Sequence, residues 1–231
     1  KKWNFSGGLG LISSRLTVEG PLKKDKGSII ISGRRSYADL FLRGSSNPTL
    51  RETQTYFYDI NAKVNYKIGK KDRIFASMYY GKDVMKYADI FGFNWGNATA
   101  TLRWNHLYGK KLFSNTSIVF SDYSYGINID SGGNKLDISS GIRDLNAKMD
   151  FTYYLNPNNT LSFGISSIFH HFKMGSLIFE SNQALNTKLP NRDAFESGVY
   201  VSNKSTYGNH WALEYGIRLS MFNAVGPGES Y

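Results

Sequence analysis

The sequence predicts an all-β protein: a transmembrane, antiparallel, up-and-down β-barrel segment of about eleven strands. Three observations lead there. Apolar and polar residues alternate with a period of two along most of the chain. The connections between alternating runs switch regularly between short basic or Asn/Pro turns and longer polar loops. Aromatic residues gather toward the ends of the runs, where amphipathic rings suit a membrane interface.

Composition narrows the classes further. The chain has 231 residues, with 28 Lys+Arg against 18 Asp+Glu and a net charge of +10. At 41% hydrophobic residues it is too apolar for a disordered chain. A mean hydropathy of −0.38, with no long uncharged apolar run, excludes a helical membrane protein. Cysteine is absent, which removes disulfide scaffolds, thiolate metal sites and thiol nucleophiles. Aromatic content of 15% with 23 Gly and only 5 Pro is a β-rich profile. The opening Lys1-Lys2-Trp3-Asn4-Phe5 carries neither Met nor a signal-peptide pattern, so a processed or truncated piece is expected.

Taken in order, 3–11 and 15–22 read as two strands joined by a tight turn near 12–14, with Leu16 and Val18 set against Arg15, Thr17 and Glu19. The clearest run is 56–68, where Tyr56, Tyr58, Ile60, Ala62, Val64, Tyr66 and Ile68 alternate with Phe57, Asp59, Asn61, Lys63, Asn65 and Lys67. Ile74/Ala76/Met78/Tyr80 and Ala98/Ala100/Leu102/Trp104 repeat the split. So do Leu145/Ala147/Met149/Phe151/Tyr153/Leu155, the weaker Phe195/Ser197/Val199/Val201, and Trp211/Leu213/Tyr215/Ile217/Leu219/Met221. Two stretches break the rule. Residues 112–129 are apolar on both parities, and 161–172 changes register after Ile165, which a bulge or a partly apolar inner face would explain.

Short turns are expected at 20–27, 67–73, 107–111, 155–160 and 203–210, and long polar loops at 43–55, 84–97, 126–140 and 173–193. These sort to opposite ends of one meander, as in outer-membrane barrels and without reason in a soluble sandwich. The polar faces then line a wet lumen, where charges need no dry pairing. Bacterial single-chain barrels have even strand numbers, and an eleven-strand sheet keeps two unpaired edges that hydrocarbon does not tolerate. The ending 223–231 reads as loop, without the terminal aromatic strand of a complete barrel, so a fragment is expected.

The string from Gly7-Gly8-Leu9-Gly10 through Arg15-Leu16-Thr17-Val18-Glu19-Gly20-Pro21-Leu22 resembles TonB-dependent outer-membrane receptors of Bacteroidota, in the group that carries a carboxypeptidase-regulatory-like domain. The resemblance continues in Gly33-Arg34-Arg35-Ser36-Tyr37, Trp95-Gly96-Asn97-Ala98-Thr99, Leu102-Arg103-Trp104-Asn105-His106-Leu107 and Tyr215-Gly216-Ile217-Arg218-Leu219-Ser220. It implies a 22-stranded barrel with a plug, of which 1–231 is the N-terminal half of one barrel domain, without plug, signal peptide or C-terminal barrel strands. It also implies import of a nutrient driven by the TonB complex, residence in the outer membrane of a Gram-negative bacterium, and a surface lipoprotein as an external cap. A small autonomous outer-membrane barrel acting as pore, adhesin or structural protein is the first alternative. A soluble β-sandwich binding module is the second.

No catalytic motif stands out. His106, His170, His171 and His210 lack zinc spacing, no Gly-x-Ser-x-Gly elbow occurs, and His170 and His171 point to opposite faces of a strand. The expectation is no enzyme, no cofactor, no metal and no assigned substrate-binding residue. Lys and Arg concentrate in turns (Lys23, Lys24, Lys26; Lys67, Lys70, Lys71, Arg73; Lys110, Lys111), which argues against nucleic acid and leaves lipid bilayer and lipopolysaccharide as surroundings. Arg34, Asp59, Lys63, Arg103, Asp144, Lys148 and Arg218 are the candidate lumen contacts, to cargo or to the protein's own plug.

Overall fold

The computed structural model describes residues 2–131, 134–180, 185–208 and 210–226. The chain forms one antiparallel sheet of β1 (Asn4–Leu9), β2 (Ser13–Lys23), β3 (Gly27–Ser36), β4 (Gln54–Lys67), β5 (Asp72–Tyr87), β6 (Phe91–Leu107), β7 (Leu112–Ser131), β8 (Asn134–Asn156), β9 (Asn159–Glu180), β10 (Leu185–Lys188), β11 (Arg192–Tyr207) and β12 (Trp211–Val225). Eleven strands pair in succession, β1 to β9 and then β11 and β12, while the four-residue β10 folds back on β9. This is the eleven-strand meander expected from the sequence. Two five-residue helices, α1 (Ala38–Leu42) and α2 (Pro48–Glu52), occupy the β3–β4 connection, which the periodicity left as loop. β1 pairs only with β2 and β12 only with β11 among the described residues, so both edges are free.

The register shows why period two dominates. Following cross-strand partners, Phe5, Val18, Ile31, Ala62, Met78, Ala100, Phe120, Leu145, Phe169 and Phe195 form one continuous row across ten strands. One residue along, on the opposite face, the row reads Ser6, Thr17, Ser32, Asn61, Tyr79, Thr99, Ser121, Asp144, His170 and Ala194. A one-residue slip anywhere would exchange these faces. The apolar face has no protein against it: Met78, Leu102, Ile118, Leu145 and Ile165 are each 50–55% exposed, and only Ala88 and Ala194 are buried apolar residues among those described. A soluble sandwich covers such a face with a second sheet. Here there is a single sheet.

The apolar face is bounded by two aromatic bands. At the short-turn end, Trp104, His106, Tyr108, Phe151 and Phe163 follow one another with ring centroids 4.5–6.2 Å apart. The Trp104 indole donates to Asp72 at 2.9 Å, which satisfies the only polar atom of that ring. At the other end, Tyr56, Tyr58 and Tyr80 lie 6.1–6.5 Å apart. On β4 the bands are separated by the stretch from Tyr56 to Tyr66, roughly 34 Å of strand and so about 25 Å of height at ordinary barrel tilt.

Turns sort as expected. The connections at 24–26, 68–71, 108–111 and 157–158 and the adjoining ends of β11 and β12 lie at one end, and the β3–β4 connection, the β5–β6 turn and β10 at the other. The tight β1–β2 turn, at 10–12 rather than 12–14, shares the latter end. The loops expected at 84–97, 126–140 and 173–193 are corrected: most of these residues continue the strands, so β7, β8 and β9 reach 20, 23 and 22 residues. Their polar composition reflects strands standing in water rather than loop. Likewise β12 runs on to Val225, through residues read as loop, and 227–231 lie outside the described residues. The β5–β6 turn closes through Ala88 at φ +44° and a 2.6 Å bond from Lys86 to Asp89, which holds that carboxyl below its ordinary range.

Beyond the upper aromatic band the facing reverses. On β7, Ile118 and Phe120 belong to the apolar face, whereas Tyr123, Tyr125, Ile127 and Ile129 lie on the other, and pairing with β6 runs unbroken from Phe113 to Ile129. The mixed parity of 112–129 is therefore a change of surroundings along a regular strand, not a bulge. β9 pairs with β11 without a slip from Asn159 to Phe172, so no bulge follows Ile165 either. The irregularities of β8 lie elsewhere: one between Tyr154 and Asn156, and, nearer the long-strand end, one between Ser139 and Gly141. Opposite it, Gly175 adopts φ +110°, and a Cβ there would lie 2.7 Å from the Ser139 carbonyl oxygen. Gly175→Ala is expected to cost about 1–3 kcal/mol, read as a lower urea midpoint. Gly69→Ala, with open space around it, leaves the midpoint unchanged.

Candidate functional site on the polar wall

All seven charged residues expected on one wall are there. Arg34, Asp59, Lys63, Arg103, Asp144, Lys148 and Arg218 share the polar face by register. They do not converge on one point: five of them fall in three groups at different heights, as a face built from consecutive strands dictates, and Lys63 and Arg103 stand apart.

The upper group sits nearest the long-strand end. Arg34 pairs with Asp59, whose carboxylate also accepts from the Asn61 amide at 3.2 Å. Asp59 is 6% exposed while the Arg34 side chain stays largely open, stacked 5.1 Å from the Phe57 ring. Gly81 makes the floor here: a Cβ at that position would collide with the Tyr79 hydroxyl, so the ring lies flat over bare backbone. Asp83 and Trp95 continue the row from Phe57, and Trp95 packs on Phe93 at 4.9 Å.

In the middle group His170 lies between two carboxylates, with Nδ1 2.8 Å from Asp144 and Nε2 3.7 Å from Glu196. His171 faces the other way and meets Asp193 at 2.6 Å, so the two histidines do separate across the strand. The described residues hold no group of three or more His, Asp or Glu arranged for a metal ion.

The lower group is a small network. Asp150 takes a 2.7 Å bond from the Tyr200 hydroxyl and lies 3.1 Å from Lys148. Tyr200 crosses Gly164 to reach it, and the Arg218 guanidinium lies over Gly198, where a Cβ would be 2.9 Å away. Small residues on the wall thus set where large polar ones lie. Lys63 and Arg103 are exposed and carry no ionic partner among the described residues. Tyr200 and the inward aromatics Phe93 and Tyr125 were not singled out from the sequence, nor was Trp95 as a residue of this wall. Asp150 and Tyr200 carry the polar parity of their runs; the aromatics become legible only from the parity reversal within a strand.

No protein-family model and no curated protein sequence matches the chain. Solved structures do. The ferric preacinetobactin receptor BauA from Acinetobacter baumannii aligns with a TM-score of 0.69 at 8% identity, over 96% of this chain and 41% of that one. The copper transporter OprC aligns with a TM-score of 0.69 at 12% identity, over 96% and 37%. The ferripyoverdine receptor of the outer membrane of Pseudomonas aeruginosa gives 0.69 at 10%, over 98% and 37%. The chain has the fold of their barrel walls. It spans about two fifths of the length of these proteins.

Tyr200→Phe removes the bond to Asp150 without removing the ring over Gly164. It is expected to cost about 0.5–1.5 kcal/mol in the urea midpoint, and Asp150→Asn, which keeps an acceptor, less.

Proposed function

We propose that this chain is the N-terminal half of the barrel wall of a TonB-dependent outer-membrane receptor that imports a nutrient. The alternation of the two register rows carries this reading: an uncovered apolar face about 25 Å tall between aromatic bands on one side, and a charged, hydrated wall on the other. The apolar face meets lipid. The free edges of β1 and β12 support further strands completing the wall, since a bilayer leaves no backbone group unpaired, and eleven strands are half of the 22 implied by the family resemblance.

The polar wall then faces a plug domain and the passing cargo. Arg34, Lys63 and Arg103 lie toward that space, with exposed charge that forms transient contacts at little desolvation cost, and the buried Asp59 anchors Arg34 there. Cycling of the plug would be driven from the periplasm by the TonB complex, and the long β7–β9 hairpins would project into the medium, where a surface lipoprotein would cap them. The strings quoted above support the Bacteroidota group; the barrel fold supports the outer membrane. The role in the wall is passive and no catalysis is assigned. Because the sheet is one open layer, a sandwich module is disfavoured, and an autonomous barrel of eleven strands would leave the two edges unmet.

Two measurements test this. The full-length protein should appear in the outer-membrane fraction and migrate faster on detergent gels before boiling than after; a soluble protein without that shift contradicts the reading. Ala62→Lys and Phe120→Lys, mid-height on the lipid face, should each cost about 2–4 kcal/mol and reduce assembled barrel. Lys63→Asp on the lumen wall should be tolerated.

A further inference from the structure

On the lipid face, where the apolar belt ends, β1 to β4 form an open groove of about 1160 Å³. Gly7 and Gly33 are its floor, paired through Leu16 in one row, and Leu16, Ile60 and Tyr58 are its walls. The depth comes from sequence: two glycines are set where neighbouring positions on this face carry large side chains. The groove is apolar below and basic at its upper end. There Arg35 lies 5.7 Å from the Tyr56 ring, and Lys82 is the register partner of Tyr58 on the same face.

Charge balance at this height differs across the sheet. On β7–β9 the cations are matched: Arg143 makes two bonds to Asp122, at 2.6 and 2.9 Å, and Lys173 lies 3.5 Å from the same carboxylate. On β3–β5, Arg35 and Lys82 have no carboxylate partner among the described residues. One unmatched cation, Arg35, therefore lines the upper end of an apolar groove at the boundary between hydrocarbon and water, and a second, Lys82, stands beside it across Tyr58. A guanidinium presents a fork of donors suited to phosphate oxygens, and an ammonium adds a second charge.

We propose that this groove is a specific site for a phosphorylated lipid of the outer leaflet, with an acyl chain over Gly7 and Gly33 and a phosphate between Arg35 and Lys82. The inference rests on the membrane reading above. The gradient from apolar floor to basic rim has the polarity of such a lipid standing with its head outward, and the site lies on the side of the sheet away from plug and cargo.

Native mass spectrometry of the full-length protein in neutral detergent tests it, with diphosphoryl lipid A titrated against its dephosphorylated form. Diphosphoryl lipid A should bind about tenfold more tightly, and Arg35→Gln with Lys82→Gln should remove that preference. Gly33→Leu fills the groove, and a Cβ there meets only ordinary contacts at 3.6 and 3.9 Å, so the strand accommodates it. That variant should lower the affinity for both lipids. Heat-modifiable migration is read on every variant. If it persists while the two lipids bind alike, or while the variants bind as the parent does, the lipid site is wrong and the barrel stands. If the parent shows no such migration, the membrane reading itself fails.

Discussion

Everything in this structure depends on cross-strand backbone pairing that leaves no slack in register. Among the described residues ten successive strand pairs run with only three irregularities, at Pro21/Lys23, at Ser139/Gly141 and at Tyr154/Asn156. Strand pairing in a single layer satisfies backbone donors and acceptors without any core, and that allows a protein whose apolar side chains are mostly exposed to hold one shape. Packing between layers contributes almost nothing, because there is no second layer. The side chains instead select the surroundings of each face.

That division explains how the charged wall is organised. Since each strand places one residue per row, charges from consecutive strands become neighbours at a given height, and pairs such as Arg34–Asp59 and Lys148–Asp150 follow from register or i, i+2 spacing. Glycines at 81, 164 and 198 then let Tyr79, Tyr200 and Arg218 lie along the wall rather than project into the space before it. The wall is consequently smooth in places and charged in patches.

Much of this was legible from sequence because period two is a strong signal when one face is uniformly apolar. Six of the seven wall residues followed directly from parity in runs such as 56–68, and Arg34 lies in a stretch where no such run was read. What stayed hidden has one physical origin. Above the upper aromatic band the medium on the outer face turns from apolar to aqueous, so polar residues move outward and Tyr123, Tyr125, Ile127 and Ile129 turn inward without any break in the strand. Read as a single amphipathic pattern, 112–129 looks irregular and 126–140 looks like loop. Read as two regimes in sequence, it is one strand of 20 residues followed by another of 23.

The reversal is also the most direct handle on the central claim, that the lower rows face hydrocarbon and the upper rows do not. These 231 residues contain no cysteine, so no native thiol of this segment competes with single-cysteine spin labels placed along β7. Power saturation with oxygen against a water-soluble nickel chelate, measured at 116, 118, 120, 122, 124 and 126 in the reconstituted full-length protein, reads the medium at each position. The account predicts oxygen-dominated relaxation through 120 and a switch to nickel-dominated relaxation by 124. Nickel-dominated relaxation at 118 and 120 would contradict it.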